Sequence, residues 1–224
     1  GSALSTATPR PVALLLNAAH AVDHMFLLIF ATAVATIAAD FGFPDWESLM
    51  PYGVGAFLLF GLGSLPAGRL GDLWGRRRMM LVFFFGMGAS ALLVAVTRNA
   101  WELAAALTLL GAFSSIYHPV GIPMLVRGAT RPGLAIGVNG LAGNLGVAFA
   151  AVTTGLLVKY AGWRAAFAVP ALLAIACGVA FARVAPQELA PPAHGPRTPA
   201  ALDAPPLVRI FVVMTVAAIS SSLL

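Results

Sequence analysis

Asn17, His20, Asp23 and His24 stand within NAAHAVDHMF, in a run that is otherwise apolar on both sides, from PVALLL to FLLIFATAVATIAA. One acid and two imidazoles in such surroundings can do two kinds of chemistry: take up and release protons, or ligate a divalent cation. On a helix His20 and His24 are one turn apart and share a face. Asn17 precedes them by three residues, and Asp23 lies three beyond His20 at the edge of that face. A second polar group, Ser114, Ser115, Tyr117 and His118, interrupts another apolar run just before Pro119. Asn139 and Asn144 interrupt a third, and each amide needs a partner in hydrocarbon. For metal chemistry the candidate ligands are His20, Asp23, His24 and His118. The H-E-x-x-H pattern of a metalloprotease is absent, and Asp23 occupies the place before the second histidine. A structural role, an acid held against a histidine to join two helices, would use the same residues.

The elements that must position these groups follow from composition. Of 224 residues, 60% are hydrophobic and only 9% charged, against roughly 25% charged in an average soluble domain. Such a chain cannot clothe a water-facing surface, so lipid is its solvent. Six runs are long enough to cross a bilayer as helices: Val12–Ala39, Leu49–Leu70, Met79–Thr97, Trp101–Val126, Ala135–Tyr160 and Arg164–Val184. A seventh, 207–224, stops at the end of the chain, which suggests an N-terminal portion or a partner half on a separate chain. Residues 1–11 form a tail whose leading Gly1-Ser2 reads as a cloning remnant, and 185–206, rich in Pro and Ala, reads as a linker. The single cysteine, Cys177, excludes an internal disulfide framework and a cysteine-built metal site. No P-loop is present to drive a primary pump.

The thirteen basic residues are divided unequally. Ten flank one set of span ends: Arg10, Arg69, Arg76, Arg77, Arg78, Arg127, Arg131, Arg183, Arg197 and Arg209. Three flank the other: Arg98, Lys159 and Arg164. The basic-rich side is expected to be cytoplasmic, with the N-terminus and the linker inside. The net charge of +5 is therefore a matter of topology, and nucleic acid is not an expected partner. Counted from the cytoplasmic ends at 1.5 Å per residue, His20 and His118 lie ~12 Å deep, Asn144 ~13 Å and Asp23 ~16 Å. Polar groups from three spans thus fall at similar depth. Ionisable groups there face a bundle interior or a water-filled path. Asn17, His20, Asp23, His24, Tyr117, His118, Asn139 and Asn144 are the expected lining of a substrate or proton pathway. Pro119 should bend its helix. The glycines at three-residue spacing, Gly137, Gly140, Gly143 and Gly146, read as a helix-packing stripe.

GRLGDLWGRRR, from Gly68 to Arg78, recurs 87 residues later as GLLVKYAGWRA, from Gly155 to Ala165. Both fit G-x-L-x-x-x-x-G-x-R, with Gly75 matching Gly162 and Arg77 matching Arg164. The two copies fall on opposite membrane faces, as a three-span unit repeated once must. The halves of the repeat are about 12–97 and 101–184.

GRLGDLWGRRRMM, placed between the second and third spans, resembles the signature loop of the major facilitator superfamily, G-x-L-a-D-r-x-G-r-r. Gly68, Leu70, Asp72, Gly75, Arg76 and Arg77 match it. YHPVG and GNLG are similar to segments of fosmidomycin-resistance-type exporters, with Ala150 and Ala151 where those carry a Gly-Pro pair. The resemblance covers all six spans. It implies an all-α membrane protein, a six-helix bundle of two inverted three-helix repeats followed by the start of a seventh span. It also implies a second six-helix half, in the same polypeptide or another chain. The signature loop would then be a conformational latch between halves. The function implied is secondary active transport of a small molecule or ion by alternating access in a bacterial inner membrane, proton-coupled, with efflux of drugs or solutes in view and no cofactor required. A divalent-metal transporter, a receptor or scaffold, and an intramembrane metalloenzyme are the other readings of these residues.

Overall fold

The computed structural model describes residues 8–187, and every regular element among them is helical. Almost all of the expected linker and the whole run 207–224 lie outside the described residues. The first helix, α1 (Arg10–Asp40), opens at the prolines Pro9 and Pro11 and runs 31 residues. That is ~46 Å, more than the ~30 Å of a hydrocarbon core. Leu16, Ala19, Val22, Phe26, Ile29, Ala33 and Ile37 are buried along it at three- and four-residue intervals. This stripe is the face that packs. Gly42, at φ +75°, ends the helix.

The span expected at Leu49–Leu70 is not one straight helix. A 3₁₀ turn over Met50–Gly53 leads into α2 (Val54–Leu62), and α3 (Ser64–Trp74) leaves at 46° to it. The cause is local. Pro66 lacks the N–H that would bond the Leu62 carbonyl, and the Ser64 hydroxyl bonds back to the Gly61 and Phe60 carbonyls. The bent pair counts as one span by composition, which with five unbroken ones makes up to six. The fourth span is also irregular, because α5 (Ala100–Ser114) passes through a π turn at Tyr117–Gly121 into α6 (Ile122–Val126). The proline expected to bend this helix, Pro119, lies within the π turn and withholds its own backbone donor.

The remaining spans, α4 (Arg76–Ala95), α7 (Pro132–Ala161) and α8 (Trp163–Val184), complete the bundle. α1 packs along α7, α4 along α8, and α2 along α5. Lipid tails are as apolar as leucine, so close van der Waals fit rather than escape from water holds such pairs. Small residues make that fit. A Cβ on Gly146 would sit 2.1 Å from the Ala21 carbonyl of α1, and one on Gly111 2.1 Å from the Ala56 carbonyl of α2. Of the glycine stripe expected to pack, Gly143 and Gly146 do, whereas Gly137 and Gly140 face open space. Phe83, Phe84, Met87, Phe167 and Phe181 fill the α4–α8 core.

The signature segment expected to be a loop is a helix–glycine–helix joint. α3 runs to Trp74, Gly75 turns the chain at φ +98°, ψ 140°, and α4 starts at Arg76. Its partner in the repeat does the same. Gly162, at φ +86°, ψ 163°, joins α7 to α8. That region of backbone space is essentially closed to residues with a side chain. The arginine two places after each glycine then reaches across the α4–α8 pair. Arg77 donates to the Ala182 and Ala185 carbonyls at the end of α8, at 2.8 and 2.9 Å. Arg164 donates to the Thr97 carbonyl just past the end of α4, at 3.1 Å, and to Asp40 at 2.8 Å. Each cation satisfies carbonyls a helix end leaves free. The matching glycines Gly68 and Gly155 are less alike: a Cβ on Gly68 would sit 3.3 Å from Pro119, while Gly155 faces open space.

Candidate functional site

Three elements bring the polar residues together: α1, the end of α5 with its π turn, and α7. Asn139 of α7 is the joint between them. Its side-chain amide donates to Asn17 Oδ1 at 2.8 Å and to the Tyr117 hydroxyl at 2.7 Å. Tyr117 in turn donates to the Leu16 carbonyl at 2.8 Å. The backbone carbonyl of Asn139 accepts from His20 Nδ1 at 2.8 Å. A carbonyl only accepts, so His20 carries its proton on Nδ1 when neutral, and Nε2 presents a lone pair. That nitrogen meets His24 Nε2 at 3.1 Å.

The rings form a cluster. His20 stacks on Tyr117 with centroids 4.9 Å apart and meets the edge of His118 at 5.0 Å. His24 stacks on His118 at 5.6 Å. Phe60 of α2 closes one side, 5.9 Å from His118. The glycine Gly143 makes room for this packing, since a Cβ there would fall 2.7 Å from the His20 ring. His20 and Tyr117 are buried, and the His118 side chain is 37% exposed. The cluster therefore opens on one side.

Asp23 lies next to it, fully buried. One carboxylate oxygen accepts a hydrogen bond from Ser114. The other, Oδ2, has no hydrogen-bond partner and lies 3.8 Å from His118 Nδ1. A carboxylate oxygen out of water and unmatched is costly unless a cation or a proton completes it. Among the described residues it is the one buried side-chain polar atom without a hydrogen-bond partner, so Asp23 Oδ2 is where the network is unfinished.

Of the residues the sequence singled out, Asn17, His20, Asp23, His24, Tyr117, His118 and Asn139 come together. Asn144 does not: it is exposed, one residue beyond Gly143. Ser114, one of the polar residues noted in the fourth span but not in the expected lining, belongs to the site, as does Gly143, which was expected only to pack. The signature residues form no part of the cluster. Asp72 is largely exposed and faces Arg76 at 3.6 Å. Yet α3, which carries Gly68, Leu70 and Asp72, packs directly on the π turn that holds His118, where a Cβ on Gly71 would sit 3.0 Å from Val120.

Known proteins resemble this membrane bundle over much of its length. The probable actinorhodin transporter of Streptomyces coelicolor is 30% identical over 179 residues, which are 77% of this chain and 31% of that protein. The puromycin resistance protein of Streptomyces alboniger is 31% identical over 59% of this chain and 27% of its own length. The probable hexose phosphate transport protein of Chlamydia pneumoniae is 28% identical over 73% and 37%. The chain thus spans about a third of the length of these curated relatives. The family is one of transporters, which sets the metalloenzyme reading aside. The family model described as Major Facilitator Superfamily matches residues 16–224, and this multi-pass membrane chain belongs to that superfamily.

Proposed function

We propose that the chain is the first six-span half of a secondary active transporter that moves a small solute by alternating access, driven by a proton gradient, across a bacterial inner membrane. The observation that carries this reading is Asp23: wholly buried, bonded on one oxygen by Ser114, unmatched on the other, and facing His118 across 3.8 Å. A centre that lacks one positive partner is suited to a carried cation, and alternating access would show it first to one side of the membrane and then to the other. The reciprocal arginines at Gly75 and Gly162 support a bundle of two inverted three-helix units. A second half would supply the rest of the cavity wall. Orientation, with the N-terminus and the arginines Arg76–Arg78 inside, rests on the ten-to-three division of basic residues. The α3 joint, packed on the π turn, would transmit the change of state between the latch and the cavity. The convergence of three imidazoles supports a second reading, a divalent metal ion as cargo.

The relatives' names suggest probes. Everted vesicles containing the full-length transporter, energised by respiration, are expected to accumulate labelled puromycin or glucose 6-phosphate. A protonophore should abolish that accumulation. Accumulation that survives collapse of the proton gradient would contradict proton coupling. Passive equilibration alone would contradict active transport.

A further inference from the structure

His20, His24 and His118 each offer one ring nitrogen, and the three ligand atoms lie within 4.8 Å of one another. We propose that they form a binding site for a borderline divalent transition-metal ion of the Zn²⁺ or Co²⁺ kind. The inference concerns equilibrium binding in the absence of any gradient, and it stands apart from whether the ion is carried.

Four features of the site support the proposal. The distances are close to those of a metal centre. Nitrogens bound to Zn²⁺ at about 2.0–2.1 Å in a tetrahedron lie about 3.3 Å apart. His20 Nε2 and His24 Nε2 are already 3.1 Å apart. The third ligand atom lies within 4.8 Å of the other two, so His118 must move closer to them, and it is on the open side of the cluster. The His20 tautomer is fixed for ligation. The Asn139 carbonyl accepts a hydrogen bond from Nδ1–H and leaves the Nε2 lone pair free, the outer-shell arrangement typical of metal-binding histidines. A carboxylate stands near a second ring, outside hydrogen-bond distance of it. Asp23 Oδ2, the one buried oxygen without a partner among the described residues, faces His118 Nδ1. With the ion bound, a closer approach of the two would let Nδ1–H donate to the carboxylate while Nε2 turns to the ion. The carboxylate also offsets part of the ion's charge. Finally, the exposed side of His118 leaves a fourth position open to water, so the ion has a way in and out.

Proton accounting is simple. In the metal-free pair one of the two facing Nε2 atoms, that of His24, carries the hydrogen. The ion replaces it, and neutral His24 takes the proton on Nδ1, so ligation by neutral rings releases none. The donor set fixes the class of ion. Imidazole favours Zn²⁺, Co²⁺, Ni²⁺ and Cu²⁺, whereas Mg²⁺ and Ca²⁺ require a shell of oxygens that this cluster does not offer.

The test is Co²⁺ titration of the purified tag-free protein in detergent, followed by visible absorption. The expected result is the d–d spectrum of a four- or five-coordinate Co²⁺–imidazole centre at one ion per chain, bleached by Zn²⁺ and unaffected by excess Mg²⁺ or Ca²⁺. His118→Ala should weaken binding at least tenfold, and Asp23→Asn about 10–100-fold, the usual range for a lost outer-shell partner. His194 is the one remaining histidine of the sequence, and His194→Ala should leave the spectrum intact. Zn²⁺ should also raise the melting temperature of the wild-type protein, which keeps the test valid if a variant folds poorly. The proposal is overturned if no such spectrum and no thermal shift develop, if His118→Ala binds Co²⁺ as wild type does, or if His194→Ala removes the signal. Loss of Co²⁺ binding with gradient-driven transport intact would sink this inference alone. Binding with no transport would sink only the transport reading.

Discussion

Asp23 and Ser114 define the site at the scale of single residues, because between them they leave one carboxylate oxygen unmatched. The neighbours of that pair are held with little slack. Tyr117→Phe removes the acceptor for one Asn139 donor and the donor to the Leu16 carbonyl. It should cost about 1–2 kcal/mol of stability, read as a lower melting temperature in detergent with α-helical content unchanged. Gly143→Val should be more selective. Its side chain would occupy the space of the His20 ring, so it is expected to abolish transport while the protein still inserts and purifies. Normal transport by Gly143→Val would show that the His20 position is not required. The histidines and Asp23 were legible in the sequence because ionisable side chains in an apolar run have few bland explanations. Ser114 was legible only as one member of a polar group in its span, not as the partner of Asp23. Its role depends on how α5 crosses α1, which no single span's pattern contains. Asn144 was misplaced because depth was counted and rotation was not. Five residues turn an α-helix by about 500°, so Asn139 and Asn144 point about 140° apart.

At the scale of elements, the two breaks in regularity sit beside the site rather than away from it. The α2–α3 bend and the π turn at Tyr117–Gly121 pack on each other, and together they place Phe60 and His118. Pro119 announced a bend, but whether a proline gives a kink or a π turn depends on how the neighbouring carbonyls are rehoused, which is a tertiary matter. The bend at Gly63 was hidden by a hydropathy pattern that continues smoothly through it. The glycine joints were legible as a repeat, whereas the reach of Arg77 and Arg164 to the ends of the opposite helices was not. Gly75→Ala forces a side chain into a backbone region that costs about 1–3 kcal/mol. It should lower the melting temperature accordingly, and Gly162→Ala should do the same. Arg77→Ala should free the end of α8 and raise amide hydrogen exchange near Ala182 with little change in α1. Unaltered exchange there would remove the clasp from this account.

At the scale of the whole molecule, five spans and one bent pair among the described residues carry a buried polar centre, and many large hydrophobic side chains face outward. Membrane character was legible from composition, because 9% charge leaves no other solvent. Orientation makes its own prediction. In a Cys177→Ser background, Asp45→Cys should react with an impermeant maleimide in intact cells, and Asp72→Cys only after permeabilisation. The reverse pattern would invert the topology. The central claim, that Asp23 couples solute movement to a proton gradient, is tested most directly by Asp23→Asn in the reconstituted full-length transporter. Asparagine keeps the size of the side chain and an acceptor for Ser114, but it cannot carry the proton. Energy-independent exchange of labelled solute should persist near the wild-type rate, while accumulation driven by an imposed proton gradient should fall at least tenfold. Gradient-driven accumulation at the wild-type level in Asp23→Asn would contradict the account.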